Sequence, residues 1–215
     1  GDETVDVLVV GSGIAGLAAA LAAARDGSDV LVATKATRPE GASSWWAQGG
    51  IAVARDDPDQ FKDDIVTASD GTADPDAVDV LVENANDAVR EVLVDTLDVD
   101  FDTHGNGEYD FGREAAHDEA RILHVDASTG KAIHVPFLNY LDAHDGVEIR
   151  DDTAALELIR HEGRVYGAMV ESEGAVAPVF AGSVVLATGG VGELYGRTTN
   201  PAGSTGDGVA MAALA

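Results

Sequence analysis

The chain has 215 residues, 45% of them hydrophobic, and carries 39 acids against 13 bases for a net charge of −26. That is enough for one large domain or one and a half average ones. No apolar run is long enough for a membrane span, and the sign of the charge disfavours a nucleic-acid partner. With no cysteine, disulfides, thiolate metal sites and cysteine nucleophiles are excluded. Aspartate outnumbers glutamate 26 to 13, and the acids are scattered rather than gathered in a tail. A solvated acidic surface adapted to concentrated salt, where screening removes the self-repulsion, is the expectation. The start of the chain lacks the basic segment of a signal peptide, so a cytoplasmic address is expected.

Val5 to Val10 is apolar and β-branched, as an inner parallel strand requires. Gly11-Ser12-Gly13-Ile14-Ala15-Gly16 follows and opens a helix over Ile14 to Arg25, and a second strand spans Asp29 to Thr34. In a strand–turn–helix setting each glycine has a purpose. Gly11 permits the tight turn, Gly13 lets the backbone approach a pyrophosphate, and Gly16 lets helix and strand lie close. The first helical amides then face the phosphates. This context marks a dinucleotide-binding unit. The second strand of such a unit ordinarily ends in an acid for the ribose hydroxyls. Thr34-Lys35 stand there instead, which points to a different adenosine contact with Lys35 near ribose or phosphate.

Ser43-Ser44-Trp45-Trp46-Ala47-Gln48-Gly49-Gly50 comes next. Hydroxyls, an amide and two glycines suit close backbone approach to a flat polar ring system; a loop with a Trp pair packed on the core is the alternative. A short helix is predicted over Gln60 to Ser69. A longer one is capped by Asp74-Pro75 and reaches about Leu97, with a core stripe of Val78, Leu81, Val82, Ala85, Val89, Val92 and Leu93. Val99 to Asp102 reads as a short strand and His104 to Gly107 as a hairpin tip. A helix from Ser128 to His144 should be interrupted, or started late, by Pro136. Val147 to Arg150 extends the parallel sheet. Ala154–His161, Arg164–Glu173 and Val176–Phe180 form a β-meander. Ser183 to Thr188 is a separate buried strand, and a helix opens at Val209. The six histidines show no metal-ligand spacing.

The opening fingerprint, Thr34-Lys35 and Ala47-Gln48-Gly49-Gly50 together resemble the succinate dehydrogenase/fumarate reductase flavoprotein superfamily. The resemblance implies an α/β, Rossmann-like FAD-binding domain: a central parallel sheet with flanking helices plus an antiparallel β-meander. Branches that bind FAD covalently carry a histidine four residues before the Ala of Ala-Gln-Gly-Gly. Ser43 stands there, so the L-aspartate oxidase branch, with noncovalent FAD, is the closer match. Gly112-Arg113-Glu114-Ala115-Ala116-His117 followed by Arg121-Ile122-Leu123-His124 resembles the Arg-Glu-Gly-Gly-His … Arg-Ile-Leu-His segment of that branch, with Ala115-Ala116 in place of Gly-Gly. There the glutamate orients the substrate's amino group. A carboxylate suits an ammonium and would repel a bare dicarboxylate, so Glu114 implies an amino-acid substrate; an ordinary surface Arg-Glu pair is the bland alternative. Ala187-Thr188-Gly189-Gly190 resembles the strand end that returns to the cofactor, and Asp207 the glycine-flanked aspartate that contacts FAD; a helix cap is the alternative for that acid.

The implied cofactor set is therefore Gly11, Ser12, Gly13, Ile14, Ala15, Gly16, Thr34, Lys35, Ser43, Ser44, Trp45, Trp46, Ala47, Gln48, Gly49, Gly50, Thr188, Gly189 and Asp207. Glu114 is the substrate contact. The resemblance further implies that residues 1–215 are the N-terminal part of the domain. The capping domain, the catalytic arginine and the last FAD segment would lie beyond residue 215, leaving no catalytic residue in the chain and the fragment inactive alone. The parent would oxidise L-aspartate to iminoaspartate, the first step of de novo NAD biosynthesis, be reoxidised by oxygen or fumarate, and supply quinolinate synthase. A succinate dehydrogenase or fumarate reductase subunit, or a non-catalytic FAD- or ADP-binding module, are the alternatives.

Overall fold

The computed structural model describes residues 3–215. In chain order the elements are β1 (Glu3–Val10), α1 (Ile14–Arg25), β2 (Val30–Ala33), β3 (Ile51–Ala52), α2 (Pro58–Ala68), α3 (Pro75–Ala88), β4 (Ile122–Leu123), α4 (Thr129–Asp142), β5 (Val147–Arg150), β6 (Thr153–His161), β7 (Arg164–Ser172), β8 (Ala175–Leu186) and α5 (Asp207–Leu214). They fall into two compact units: the chain up to Trp46 together with His134–Ala215, and Ala47–Ile133. Among the described residues no helix is long and apolar enough to cross a membrane.

The first unit is built on a six-stranded sheet of order β5-β2-β1-β8-β7-β6. Strands β5, β2, β1 and β8 run parallel, and β7 and β6 continue the sheet antiparallel. Alternation along β1 sends Leu8 and Val10 to one face. There they join Leu31, Ala33, Ala168, Val170, Val179, Ala181 and Met211 in one core. On α1, alanine-rich and so strongly helix-forming, Gly16, Leu17, Ala20, Leu21 and Ala24 are buried at helical spacing. The helix packs on β1 and β2, and the chain leaves it through Gly27 in the left-handed region, a usual exit.

The sequence divides the meander's last strand from the strand that returns to the glycine turn; the structure makes them one. Strand β8 pairs antiparallel with β7 from Ala175 to Phe180 and parallel with β1 from Val179 to Leu186. Gly182, which falls between the two predicted strands, sits inside the single one, where a Cβ would lie 3.0 Å from Asp6 O. That glycine marks a close backbone approach, not a turn. Pro136 likewise neither interrupts α4 nor delays its start. Burial of His134, Phe137 and Leu141 on the same helix offsets the amide that proline lacks.

In the second unit, α3 begins at Asp74-Pro75 as its sequence predicts, while α2 begins at Pro58, two residues before the expected Gln60. Asp57 accepts from Gln60 N and Asp74 from Asp76 N, each followed by proline in the first turn. Their facing side chains, Phe61, Val78 and Val82 with Ala54, form the core. Of the predicted stripe, Leu81 is instead 57% exposed. Beyond Ala88 the helix continues directly as a π-helix over Val89–Thr96, so it reaches Leu97 as expected but in widened form. Val99 to Asp102 does not form a strand: Val99 N turns back to Leu93 O, and only Asp102 makes cross-chain bonds, donating to His124 O and accepting from Asp110 N. The hairpin tip at 104–107 is present: His104 N donates to Glu108 O at 2.7 Å, beneath a Thr103–Tyr109 bridge.

Candidate functional site

The glycine turn leaves β1 at the level where β2 and β8 also end. Gly11 has φ 110°, and a Cβ on it would lie 2.3 Å from Ala187 O, so conformation and space both demand glycine. A Cβ on Gly16 would lie 1.9 Å from Gly11 O, which presses α1 directly onto the turn. Gly13 is the N-cap and supplies no side-chain cap, and the first turn holds no acid. Ile14 N donates to Ser44 Oγ at 3.0 Å, while the amide ends of α1 present partial positive charge to the cleft.

Two long-range contacts hold the turn in place. Ser12 Oγ donates to Thr34 Oγ1 at 3.0 Å. Ser12 O accepts from His134 Nε2 at 2.6 Å. His134 is 1% exposed, its Nδ1 has no partner, and burial pulls its pKa below the ordinary value despite the Ser12 bond. Nothing in the local sequence marks this residue, because its partner is 122 positions away.

On the opposite wall, Gly206 in the left-handed region starts α5, and Asp207 is its first residue. The Asp207 carboxylate does not cap the helix. It bonds Lys35 Nζ and Thr205 Oγ1, and the Lys35 bond holds its pKa below the usual carboxylate value. Lys35 also donates to Thr205 Oγ1 at 2.5 Å. A Cβ on Gly208 would lie 2.0 Å from Thr188 Oγ1, so α5 rests on the end of β8. These walls enclose a cleft of about 1240 Å³, beyond the ~300–1,000 Å³ of ordinary small-ligand pockets and suited to an extended dinucleotide.

Of the residues expected to contact a cofactor, Gly11, Ser12, Gly13, Ile14, Ala15, Thr34, Lys35, Ser43, Ser44, Trp46, Thr188, Gly189 and Asp207 line this cleft. Gly16 and Trp45 do not. Gly16 acts beneath the turn, and Trp45 stacks edge-on against Trp46 at 4.7 Å, whose Nε1 is tied to Glu40 O. Arg38 and Asn200 also line the cleft without having been singled out by motif.

The remaining expected residues lie in the second unit. Ala47 O accepts from Gly130 N and Gln48 O from Thr129 Oγ1, at 2.7 and 3.4 Å. Gly50, at φ 130°, is pressed on Leu123 O, where a Cβ would sit at 2.3 Å. A Cβ on Gly49 would lie 2.9 Å from Glu114 Oε1, so the loop glycine and the expected substrate contact are neighbours. Arg113 does not pair with Glu114; its Nε donates to His117 O at 2.9 Å and closes the turn. Ala116 adopts φ 68°, a left-handed conformation that glycine takes without strain and alanine does not.

The rest of that segment is scaffold. Arg121 is fully buried over the Phe61 ring, paired with Asp64 and Glu119. Burial pushes the Asp64 carboxyl up, but bonds from Asp118 N and Gln60 and the charge of Arg121 outweigh it and hold the pKa down. His124 Nδ1 is paired with Asp102 at 2.9 Å, a supporting role rather than a ligand's. Among the described residues no His/Asp/Glu cluster is placed to hold a metal ion.

The family described as FAD binding domain matches residues 6–215. The chain belongs to that FAD-binding family. L-aspartate oxidase of Halobacterium salinarum is 62% identical over 99% of this chain, and that of Mycobacterium tuberculosis 39% over 97%; the chain covers 43% and 40% of them. It thus spans about two fifths of the curated relatives it matches. The apo Sdh1 complex of Mycobacterium smegmatis superposes with a TM-score of 0.92 at 27% identity, covering 98% of this chain and 38% of that one. A point-mutant FrdA of E. coli quinol fumarate reductase gives 0.90 at 25%, covering 97% and 36%. The cleft of this FAD-binding domain fits its cofactor. Gly11 leaves the turn bare of side chain, Gly13 opens a helix without an acid in its first turn, and Lys35 and Arg38 supply cationic lining.

Proposed function

We propose that the chain is the N-terminal FAD-binding part of an L-aspartate oxidase. The observation that carries this reading is Glu114, whose carboxylate lies over Gly49 of the Ala47–Gly50 loop and which no ion pair engages among the described residues. An open carboxylate there suits a substrate ammonium. The high identity to the haloarchaeal oxidase supports the same reading. In the whole protein, L-aspartate loses its Cα hydrogen as hydride and a proton from nitrogen, giving iminoaspartate. FAD, when bound, supplies the hydride-accepting centre. Of this chain's residues, Gly11 to Ala15 with Ser44 and Thr188 hold the dinucleotide, Lys35 and Asp207 flank it, and Glu114 orients the amino group.

Reoxidation by oxygen or fumarate, use of the product by quinolinate synthase in NAD biosynthesis, noncovalent FAD, a cytoplasmic location and adaptation to high salt complete the proposal. Ser43 supports noncovalent binding, because a hydroxyl offers no imidazole for a histidyl–flavin bond. The likeness to the Sdh1 and FrdA folds favours one second reading, a dicarboxylate dehydrogenase or reductase. The full-length protein purified in high salt separates the two. A flavin band released to the supernatant by acid, with peroxide formed from L-aspartate, is the expected result. A yellow pellet, or turnover of succinate without aspartate, would reject the oxidase.

A further inference from the structure

Gly49 and Gly50 adjoin, but a side chain would meet a different obstacle at each. At Gly50 the obstacles are φ 130° and the main-chain oxygen of Leu123 at 2.3 Å. Gly49 has no positive φ, and the three atoms nearest its ideal Cβ are all in the Glu114 side chain: Oε1 at 2.9 Å, Cδ at 3.2 Å and Cγ at 3.6 Å. Both backbones at this contact are held. The loop is tied through Ala47 O and Gln48 O to Gly130 N and Thr129 Oγ1. On the other side, Gly112 exchanges two hydrogen bonds with Ile122, Arg113 closes onto His117 O, and His117 N reaches Glu114 O. With both main chains fixed, a methyl at position 49 meets only the mobile end of a glutamate. The carboxylate yields, and the fold stays.

We infer that Gly49 determines substrate selectivity by leaving the space in which the Glu114 carboxylate lies across the loop, ready for an ammonium. Gly49 is a positioning residue acting through Glu114, and the inference rests on the reading of Glu114 given above. Hydrogen bonds weaken steeply with distance and angle, so a carboxylate displaced by even a few tenths of an ångström, with its angle changed, loses much of a charge-assisted bond. An analogue without the amino group has no such bond to lose.

The test uses the full-length protein with G49A, E114Q and the double variant, rates being taken per bound flavin. E114Q and G49A should each raise KM for L-aspartate by about tenfold or more and change kcat much less. Inhibition by succinate, which lacks the ammonium and is repelled by the Glu114 carboxylate, should not be weakened by G49A. In the E114Q background G49A should add less than about threefold, the non-additivity of two residues acting on one contact. A crystal structure of G49A should show the Glu114 carboxylate moved off the loop while the main chain of 47–50 is retained. An aspartate KM unchanged by E114Q would overturn the role of Glu114 and this inference with it. A normal E114Q effect combined with a silent G49A, or a G49A effect that is additive and shared with succinate, would overturn the role of Gly49 alone.

Discussion

Replacing His134 with glutamine isolates one buried proton. Ser12 O can only accept, so the ring nitrogen facing it at 2.6 Å carries the hydrogen, and a second proton would have to enter at Nδ1. That atom is buried and has no acceptor. The folded protein therefore holds His134 neutral with its pKa below 6.5, while the unfolded chain protonates it normally. The unfolded state then binds more protons as pH falls, and stability is lost below about pH 6.5 and complete above it. The loss has a ceiling of ~1.4 kcal/mol per pH unit, and between pH 6.5 and 5.5 is at most about 1 kcal/mol. His134→Gln retains a donor for Ser12 O and has nothing to titrate. Urea unfolding of both proteins at pH 7.5, 6.5 and 5.5, in constant high salt, should give a stability difference that shifts by up to about 1 kcal/mol in favour of the variant on acidification, at equal m-values. Parallel pH profiles would refute the buried neutral histidine.

Gly16→Ala opposes helix propensity to packing. Propensity alone predicts a gain of about 1 kcal/mol, whereas a Cβ 1.9 Å from Gly11 O predicts a net loss of about 2 kcal/mol or more. A higher melting temperature in the variant would show that α1 does not rest on the turn as described. The net charge of −26 predicts that melting temperature rises with KCl as the Debye length falls from about 10 Å at 0.1 M to about 3 Å at 1 M. A salt-independent melting temperature would remove the argument for salt adaptation.

The misreadings share a cause. Gly182 and Pro136 are breakers by local chemistry, yet β8 runs through the first and α4 through the second, because neighbouring strands and buried side chains outweigh a single local preference. Leu81 fits the helical stripe of α3 but faces outward, since spacing says which residues share a face and not how wide a face is covered. Ala115-Ala116 departs from a Gly-Gly pattern, and the turn still forms with Ala116 bearing the left-handed conformation.

From sequence alone came the strand–turn–helix of Val5 to Arg25, the cap at Asp74, and the residue types a dinucleotide needs. These depend on backbone freedom and hydrogen bonding within a few positions. Tertiary structure alone decided that His134 grips Ser12, that Lys35 reaches Asp207 across 172 positions, and that Glu114 lies on Gly49. Those contacts carry no local signal. They exist only once sheet order and packing have brought distant backbones within a side chain's length, and that is where the geometry of the site is set.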